Sequence, residues 1–410
     1  MTKPKVFEKP LGVKDYLPEA ASRLRLIESR VLACMKRWGY EEIITPTLEY
    51  YDTVGIASST SDAKLFKLLD KRGNTLVLRS DLTAPIARVV SSLLKDRPLP
   101  IRLSYHANVF RALEEEAGKE SEFYQTGGEL VGDGSPEADA EIIALAVASL
   151  KAAGVRAFRL AAGHVGFLNG LFRETLEGLP GVEEELKDCL LQRDHVSYRR
   201  IIQDLAIPGE NKEKLEGILR LRGGKDICHQ AERMTADPGA KAAIDHLCRV
   251  WEALEDYEAH HELLIDLTMI GDFSYYTGLT FEGYASDLGF PVCSGGRYDN
   301  LLRQFGRPAP ATGFALKTNR ILEVLARQPV EHLRRIAVVY FEGRRREALR
   351  RARELRDGSD CMVITLKSET EGQAVEIRKL ENGGVLVGGS FYDEVVVFGP
   401  EGGNDGWTGG

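Results

Sequence analysis

Two strand-like runs, Ile101–Phe110 and Phe123–Val131, stand on either side of the polar stretch Glu114–Glu122, and this arrangement restricts the fold more than any other feature of the chain. Neighbouring strands joined by a turn pair antiparallel, whereas a parallel pair needs a crossover of about a dozen residues or more. A shorter run, Thr75–Arg79, precedes Leu82–Leu94, whose apolar spacing is helical. Upstream, Ala20–Trp38 places Leu24, Ile27, Val31, Met35 and Trp38 three and four residues apart and stops at Gly39, which predicts an amphipathic helix. The β-branched segment Glu41–Thr45 then reads as a strand ended by Pro46. Ser135-Pro136-Glu137 supplies a hydroxyl cap, a proline at the first helical position and an acid in the first turn, and so opens a helix running to Leu150. These elements predict an α+β fold, an antiparallel sheet flanked by helices.

The texture changes twice. From about Asn169 to Glu262 the chain is charged and helix-forming, as in Glu183–Arg193 and Lys212–Leu221, which predicts an inserted helical domain over 169–262. Strand-like sequence resumes at Leu263–Thr268 and Leu279–Tyr284. Ser294–Asn300 follows, and an alanine-leucine helix over Ala315–Ala326 closes the first domain, so that 1–168 and 263–328 form one body. Residues 329–400 read as a small α/β module. Its strands are Ile336–Tyr340, Cys361–Leu366, Gly384–Val387 and Val395–Phe398, with helices at Arg344–Arg356 and Thr370–Asn382. The Gly-rich residues 401–410 read as a flexible tail.

Composition removes several function classes. With 43% hydrophobic and 28% charged residues among 410, the chain is neither a disordered nor a fibrous sequence. The longest apolar stretches, such as Ile142–Leu150, fall short of the ~20 residues of a bilayer helix. No apolar segment follows the N-terminal lysines, so a cytoplasmic protein is expected. The six cysteines include no Cys-x-x-Cys pair, so reduced thiols are expected rather than a zinc site or a redox dithiol. A net charge of -8 disfavours bulk capture of a polynucleotide. Gly223-Gly224-Lys225 has Leu219 where a phosphate loop needs glycine and Asp226 where it needs a hydroxyl, so it reads as a turn. His260-His261 and Cys228-His229 lack a second ligand pair at metal spacing. Neither a metal nor a cofactor is expected.

Polar residues interrupt the strand-like sequence in a patterned way: Arg79, Asp81 and Thr83; Arg111; Gln125 and Glu129; Tyr275 and Tyr276; Arg297; Arg320. Strand residues two or four apart share a face, so extended Arg79/Asp81/Thr83 and Gln125/Glu129 would each project into one polar-lined cavity. Periodicity alone also accommodates surface ion pairs.

Seven motifs in order carry a family resemblance: Trp38–Pro46, Leu78–Thr83, Asn108–Arg111, Glu122–Gln125, Tyr275–Gly278, Gly295–Asp299 and Gly313–Ala315. Over roughly residues 10 to 325 the chain resembles histidyl-tRNA synthetase. The resemblance implies a class II synthetase fold whose three motifs map to Ala33–Pro46, Ile101–Gln125 and Thr312–Arg320, the first at a dimer interface. By similarity Asp81 (a glutamate in the family), Thr83 and Gln125 hold the α-amino group of histidine, while Glu129 and Tyr276 hold the imidazole, with Tyr275 beside them. An ammonium needs acceptors and a protonated ring nitrogen needs a carboxylate or phenol oxygen, so the pairing is chemically sound.

The departures from that family are equally informative. The family's Arg-Gly-Leu-Asp-Tyr-Tyr is Gly271-Asp272-Phe273-Ser274-Tyr275-Tyr276 here, which removes the arginine that contacts the carboxylate and the α-phosphate. Leu113 replaces the motif 2 glutamate, Gly118-Lys119-Glu120-Ser121 replaces a Gly-Arg-x-Arg, and Lys317 replaces a glycine beside the nucleotide. Adenylation is catalysed mostly by positioned cations, and losing one costs on the order of several kcal/mol of barrier. Arg111 and Arg320 remain, with Arg111 the substitute anchor for the carboxylate.

A synthetase-like body with a histidine pocket, without activation chemistry and with an atypical C-terminal module is similar to the regulatory subunits of ATP phosphoribosyltransferase. That resemblance implies a non-catalytic chain required by a short catalytic subunit in the first step of histidine biosynthesis. It would bind histidine for feedback control and form a homodimer core within a hetero-oligomer, without tRNA or membrane. A divergent synthetase or synthetase-like ligase is the alternative, and a binding module without a histidine pocket is a third class.

Overall fold

The computed structural model describes residues 8–55, 57–58, 60–112, 120–270, 276–286, 288–326, 333–358, 360–368, 375–380, 383–399 and 406–408. They form two units, Met1–Arg327 and Gln328–Gly410.

In the first unit the strands are β1 (Glu41–Glu42), β2 (Leu48–Tyr50), β3 (Lys67–Leu69), β4 (Thr75–Leu78), β5 (Ile101–Phe110), β6 (Glu122–Val131), β7 (Phe158–His164), β8 (Arg222–Gly223), β9 (Leu263–Asp266), β10 (Leu279–Ala285), β11 (Pro291–Arg297) and β12 (Ala311–Lys317). The helices are α1 (Pro18–Arg37), α2 (Thr83–Ser92), α3 (Pro136–Ala153), α4 (Val165–Thr175), α5 (Val182–Leu191), α6 (His195–Asp204), α7 (Gly209–Gly217), α8 (Asp226–Met234), α9 (Pro238–Asp256), α10 (Leu301–Gln304) and α11 (Thr318–Leu325). Nine strands make one sheet in the order β1-β5-β6-β12-β11-β10-β7-β9-β8. Only β1/β5 and β7/β9 pair parallel in it, which bears out the antiparallel α+β expectation. A separate sheet, β2-β4-β3, is antiparallel throughout.

Strand alternation gives the large sheet two different faces. One face packs with α1, α3, α4, α9 and α11 into a single apolar cluster, which also takes in Leu186, Tyr198, Leu215 and Ile227 from α5 to α8. The helices after β7 therefore share their core with the sheet. The opposite face carries a second cluster, with Ile86 and Val90 of α2 against Leu103, Tyr105 and Val131, and this is the face that holds the cleft. Ser135 caps α3 as its sequence predicts, its Oγ accepting from Ala138 N at 3.2 Å.

Three expectations for this unit need correction. Glu41–Thr45 pairs as a strand only over Glu41–Glu42, because the carbonyls of Thr45 and Pro46 accept instead from Arg79 Nη1 at 2.7 and 3.3 Å. Arg79, Asp81 and Thr83 do not lie on one extended strand, since β4 ends at Leu78 and Thr83 already begins α2. Ala315–Lys317 is strand, not helix: β6 satisfies its backbone on one side and β11 borders Ala315 and Leu316 on the other, which overrides the helical propensity of Ala and Leu. The first domain's closing helix begins at Thr318.

The second unit contains β13 (Arg334–Tyr340), α12 (Arg345–Gly358), β14 (Cys361–Lys367), β15 (Ile377–Lys379), β16 (Val385–Val387), β17 (Ser390–Tyr392), β18 (Glu394–Phe398) and β19 (Gly406–Thr408). The order β14-β13-β18-β19 is parallel except at its β18/β19 edge. Within the expected helix Thr370–Asn382, residues 377–379 form a strand instead, because Gly383 (φ +88°) turns the chain back and lets Leu380 N donate to Gly384 O. Residues 370–374 and 381–382 lie outside the described residues. Residues 406–408, expected to be flexible tail, pair with Val395–Val397.

One buried polar cluster ties the sheet to its helices. Asp139 of α3 has no solvent exposure and accepts from Arg297 Nε of β11 at 3.0 Å and from His246 Nε2 of α9 at 2.7 Å. Arg297 also donates to the carbonyls of Asp133 and Ser135 at the start of α3. Burial works against the Asp139 carboxylate, yet the His246 hydrogen bond and the Arg297 charge hold its pKa below the ordinary range. Replacing Asp139 with Ala removes the buried partner of Arg297 and His246 and leaves Arg297 only Asp299 and two carbonyls, and urea unfolding should show a loss of about 3–5 kcal/mol; a loss under about 1 kcal/mol would refute this role.

Candidate functional site

Strand register builds the cleft floor. Opposed residues of neighbouring strands share a face. Tyr105 of β5 faces Gly127 of β6, and on β12 Gly313, Ala315 and Lys317 oppose Glu129, Gly127 and Gln125. Ser294 of β11 opposes Ala315, and Glu282 of β10 opposes Ser294. Tyr105, Gln125, Glu129, Lys317, Ser294 and Glu282 consequently stand on one face, and each lines one of two adjoining cavities.

Asp81 and Thr83 at the start of α2, Arg111 just past β5, and Tyr276 and Tyr298 complete the first cavity. Its lining surrounds about 370 Å³ of non-atom space, part of it open to solvent. The second adds Met269, Thr280, Glu282 and Lys317 and shares Arg111, Gln125, Tyr276 and Ser294 with the first, so the two form a continuous cleft.

Glu129 is 1% exposed and lies at the cleft's deep end. Its Oε1 accepts from Thr83 Oγ1 at 3.2 Å and its Oε2 from the Tyr298 hydroxyl. Burial pushes its pKa up to about 8 against the pull of these donors, with the Asp81 charge adding to the rise. At neutral pH it is therefore mostly a protonated acid. Gly313 is required opposite it, because any Cβ there would overlap Oε2 and the carbonyl of Gly128.

Asp81 is held in place by Ser58 Oγ (2.7 Å) and Ala84 N (3.1 Å), so the chain at the start of α2, not strand alternation, aims it. Arg111 donates from Nε to Ser80 O at 3.0 Å and lies over the Phe123 ring. Tyr276 packs beside Gly296, and the next residue, Thr277, donates from its backbone N to Arg297 O at 2.8 Å.

The predicted residues Asp81, Thr83, Arg111, Gln125, Glu129 and Tyr276 thus meet in one cavity. Tyr275 lies outside the described residues, as do 271–274, Leu113, Gly118 and Lys119. Three predicted polar residues go elsewhere. Arg79 binds backbone carbonyls, Arg297 joins the Asp139 cluster, and Arg320 donates to Pro291 O at 2.7 Å with Phe290 beneath it. Sequence reading missed Tyr105, Ser294, Tyr298 and Glu282. Tyr298 falls inside the quoted Gly295–Asp299 motif, whereas Tyr105, in phase with Ile101 and Leu103, reads as core.

The arrangement offers a carboxylate at Asp81, a neutral acid at Glu129, phenol groups, and cations at Arg111 and Lys317. It suits a small zwitterion with a hydrogen-bonding ring. Among the described residues, no group of three or more His, Cys, Asp and Glu is placed to hold a metal ion.

The chain is similar to known proteins over most of its length. A family model described as histidyl-tRNA synthetase matches residues 12–321. An ATP phosphoribosyltransferase regulatory subunit of Halalkalibacterium halodurans is 44% identical over 365 residues, 89% of this chain and 92% of that protein. A crystal structure of an ATP phosphoribosyltransferase regulatory subunit/histidyl-tRNA synthetase from Bacillus halodurans C superposes with a TM-score of 0.83 at 43% identity, covering 89% of this chain and 94% of that one. Histidyl-tRNA synthetase from Nostoc sp. PCC 7120, at 19% identity and a TM-score of 0.77 over 96% of this chain and 92% of its own, shares the fold.

The raised pKa of Glu129 has a measurable consequence. The folded chain keeps this proton up to about pH 8, whereas the unfolded chain releases it near 4.5, so the group's contribution to stability falls as pH rises through that window. Thermal unfolding from pH 4 to 9 should show the wild-type Tm falling relative to Glu129→Gln between about pH 4.5 and 8. A difference that does not vary with pH would refute the shift.

Proposed function

The chain belongs to the histidyl-tRNA synthetase family and, within it, to the regulatory subunits of ATP phosphoribosyltransferase, and on that premise we propose that it is a non-catalytic cytoplasmic subunit that binds free histidine and adjusts a short catalytic partner in histidine biosynthesis. The observation that carries this reading is the convergence of Asp81, Thr83, Gln125, Glu129 and Tyr276 on one cavity. Asp81, Thr83 and Gln125 receive the α-ammonium, and Glu129 with Tyr276, and Tyr275 beside it, receives the imidazole. Arg111 lies toward the carboxylate. A ring nitrogen bound to Glu129 shares the proton that this acid already carries at neutral pH.

Feedback requires that histidine bind two states of the assembly unequally. Tyr276 is the ligand contact best placed for this. From it, hydrogen bonds run through Thr277 to Arg297 and Asp299, and from Arg297 through Asp139 to His246 on α9. A change at the ligand is thereby felt in the helices after β7.

The partner reading includes a homodimer core. On the β2-β4-β3 sheet, Leu48, Tyr50, Phe66, Leu68, Leu76 and Leu78 share one face by register, and the first four are exposed. A patch of this kind, with exposed Ile44 nearby in sequence, is what a second copy of the chain covers.

Four outcomes test these readings. Co-expression with the candidate catalytic subunit should raise phosphoribosyl-ATP formation, and histidine should reverse the effect; histidine-dependent exchange of pyrophosphate into ATP by this chain alone would overturn it in favour of a ligase. Calorimetric titration should give histidine affinity highest between about pH 6.5, the imidazole pKa, and about 8, the Glu129 pKa, because the bound pair holds one proton. Gln125→Ala and Glu129→Ala should each weaken affinity by about tenfold or more, and unchanged binding in both removes the pocket. Leu48→Asp with Leu68→Asp should convert a dimer to a monomer in sedimentation, and a retained dimer would place the interface elsewhere.

A further inference from the structure

The cleft has the acids Asp81 and Glu129 along one cavity and a lysine, Lys317, along the other. In the first cavity Asp81 is a fixed carboxylate, held by Ser58 Oγ and Ala84 N. In the second, Lys317 stands directly across from Gln125, the residue at which the two cavities join. Both side chains lie on the floor face, and four strand positions, about 13 Å along β12, separate Lys317 from Gly313, which opposes the deep acid Glu129. The other acid of the second cavity, Glu282, is offset. Its Oε2 accepts from the Tyr284 hydroxyl, and Arg193 lies 3.7 Å away while also stacking on the Tyr284 ring.

An α-amino acid held with its ammonium at Asp81 and its ring at Glu129 must direct its carboxylate away from both acids. The shared lining at Arg111, Gln125, Tyr276 and Ser294 continues the cleft into the second cavity. Building on the histidine reading above, we propose that Lys317 is a specificity residue, the cation that receives the ligand carboxylate together with Arg111, and that it selects the free amino acid over analogues lacking that group. A lysine suits this task because its compact ammonium on a flexible four-carbon stem reaches a carboxylate without demanding planar, two-point geometry.

The proposal predicts a change in a ratio, which a general loss of folding does not produce. Calorimetric titration of the full chain should compare L-histidine with histidinol and histamine, which retain the amine and the ring but lack the carboxylate. The wild type should favour histidine over both. Lys317→Met should reduce that preference by about 10–100-fold while leaving histidinol affinity within about twofold, and Lys317→Arg should restore most of it. A wild-type preference for histidine that weakens at high salt supports the same conclusion, since a charge contact is screened. If Lys317→Met weakens histidine and histidinol equally, or leaves their ratio unchanged, the assignment of Lys317 is overturned while the histidine reading stands. If the wild-type chain binds no histidine, that reading falls first and takes this assignment with it.

Discussion

Glu129 is cut off from water on a central strand, and an acid in such a position needs hydrogen-bond donors that its own strand does not provide. Thr83 supplies one from the start of α2 and Tyr298 another from just beyond β11, so two distant stretches of chain must meet over β6. The acid's bulk sets a further condition, because β12 can pass beside it only with glycine at 313. The geometry of the cleft follows from meeting these needs together. The cost of burial appears as a proton held to about pH 8, and that proton makes the deep end receptive to a ring nitrogen rather than to a free cation.

Two arginines near the cleft are held by backbone carbonyls. Arg320 is committed to a backbone carbonyl and an aromatic ring, and Arg111 is tethered to Ser80 O. Positioned cations supply most of the catalysis when a nucleotide is attacked, and they do so by being preorganised where the charge develops. The Asp139 cluster uses Arg297 in the same structural manner, joining α3, α9 and β11. A small ligand touching Tyr276 thus lies a short chain of hydrogen bonds from the helices on the opposite face of the sheet, which is the kind of connection that a regulatory chain requires.

Much of the fold was legible in the sequence because its long elements carry strong periodicity. Ile101–Phe110 was read with its observed bounds and Glu122–Val131 within one residue, and the α3 cap was readable from Ser135-Pro136. Gln125 and Glu129 were readable as one face, since four residues along a strand always return to the same side. Asp81 and Thr83 reached the cavity for a reason other than the one their spacing suggested: a helix start, stabilised by Ser58 and the Ala84 amide, turns them inward. Ala315–Lys317 was misread because a short alanine-leucine segment has helical propensity, and only pairing to its neighbouring strands decides otherwise.

The sequence by itself determined the family, the α+β class and six described members of the site, because ordered motifs and strand alternation are local properties that survive without coordinates. Tertiary structure alone decided that Tyr105, Tyr298, Ser294 and Glu282 join them, that Arg79, Arg297 and Arg320 turn away, and that burial raises the pKa of Glu129. The physical reason is that register across five strands and exclusion of water are set by partners far apart in the chain, and no window of neighbouring residues contains them.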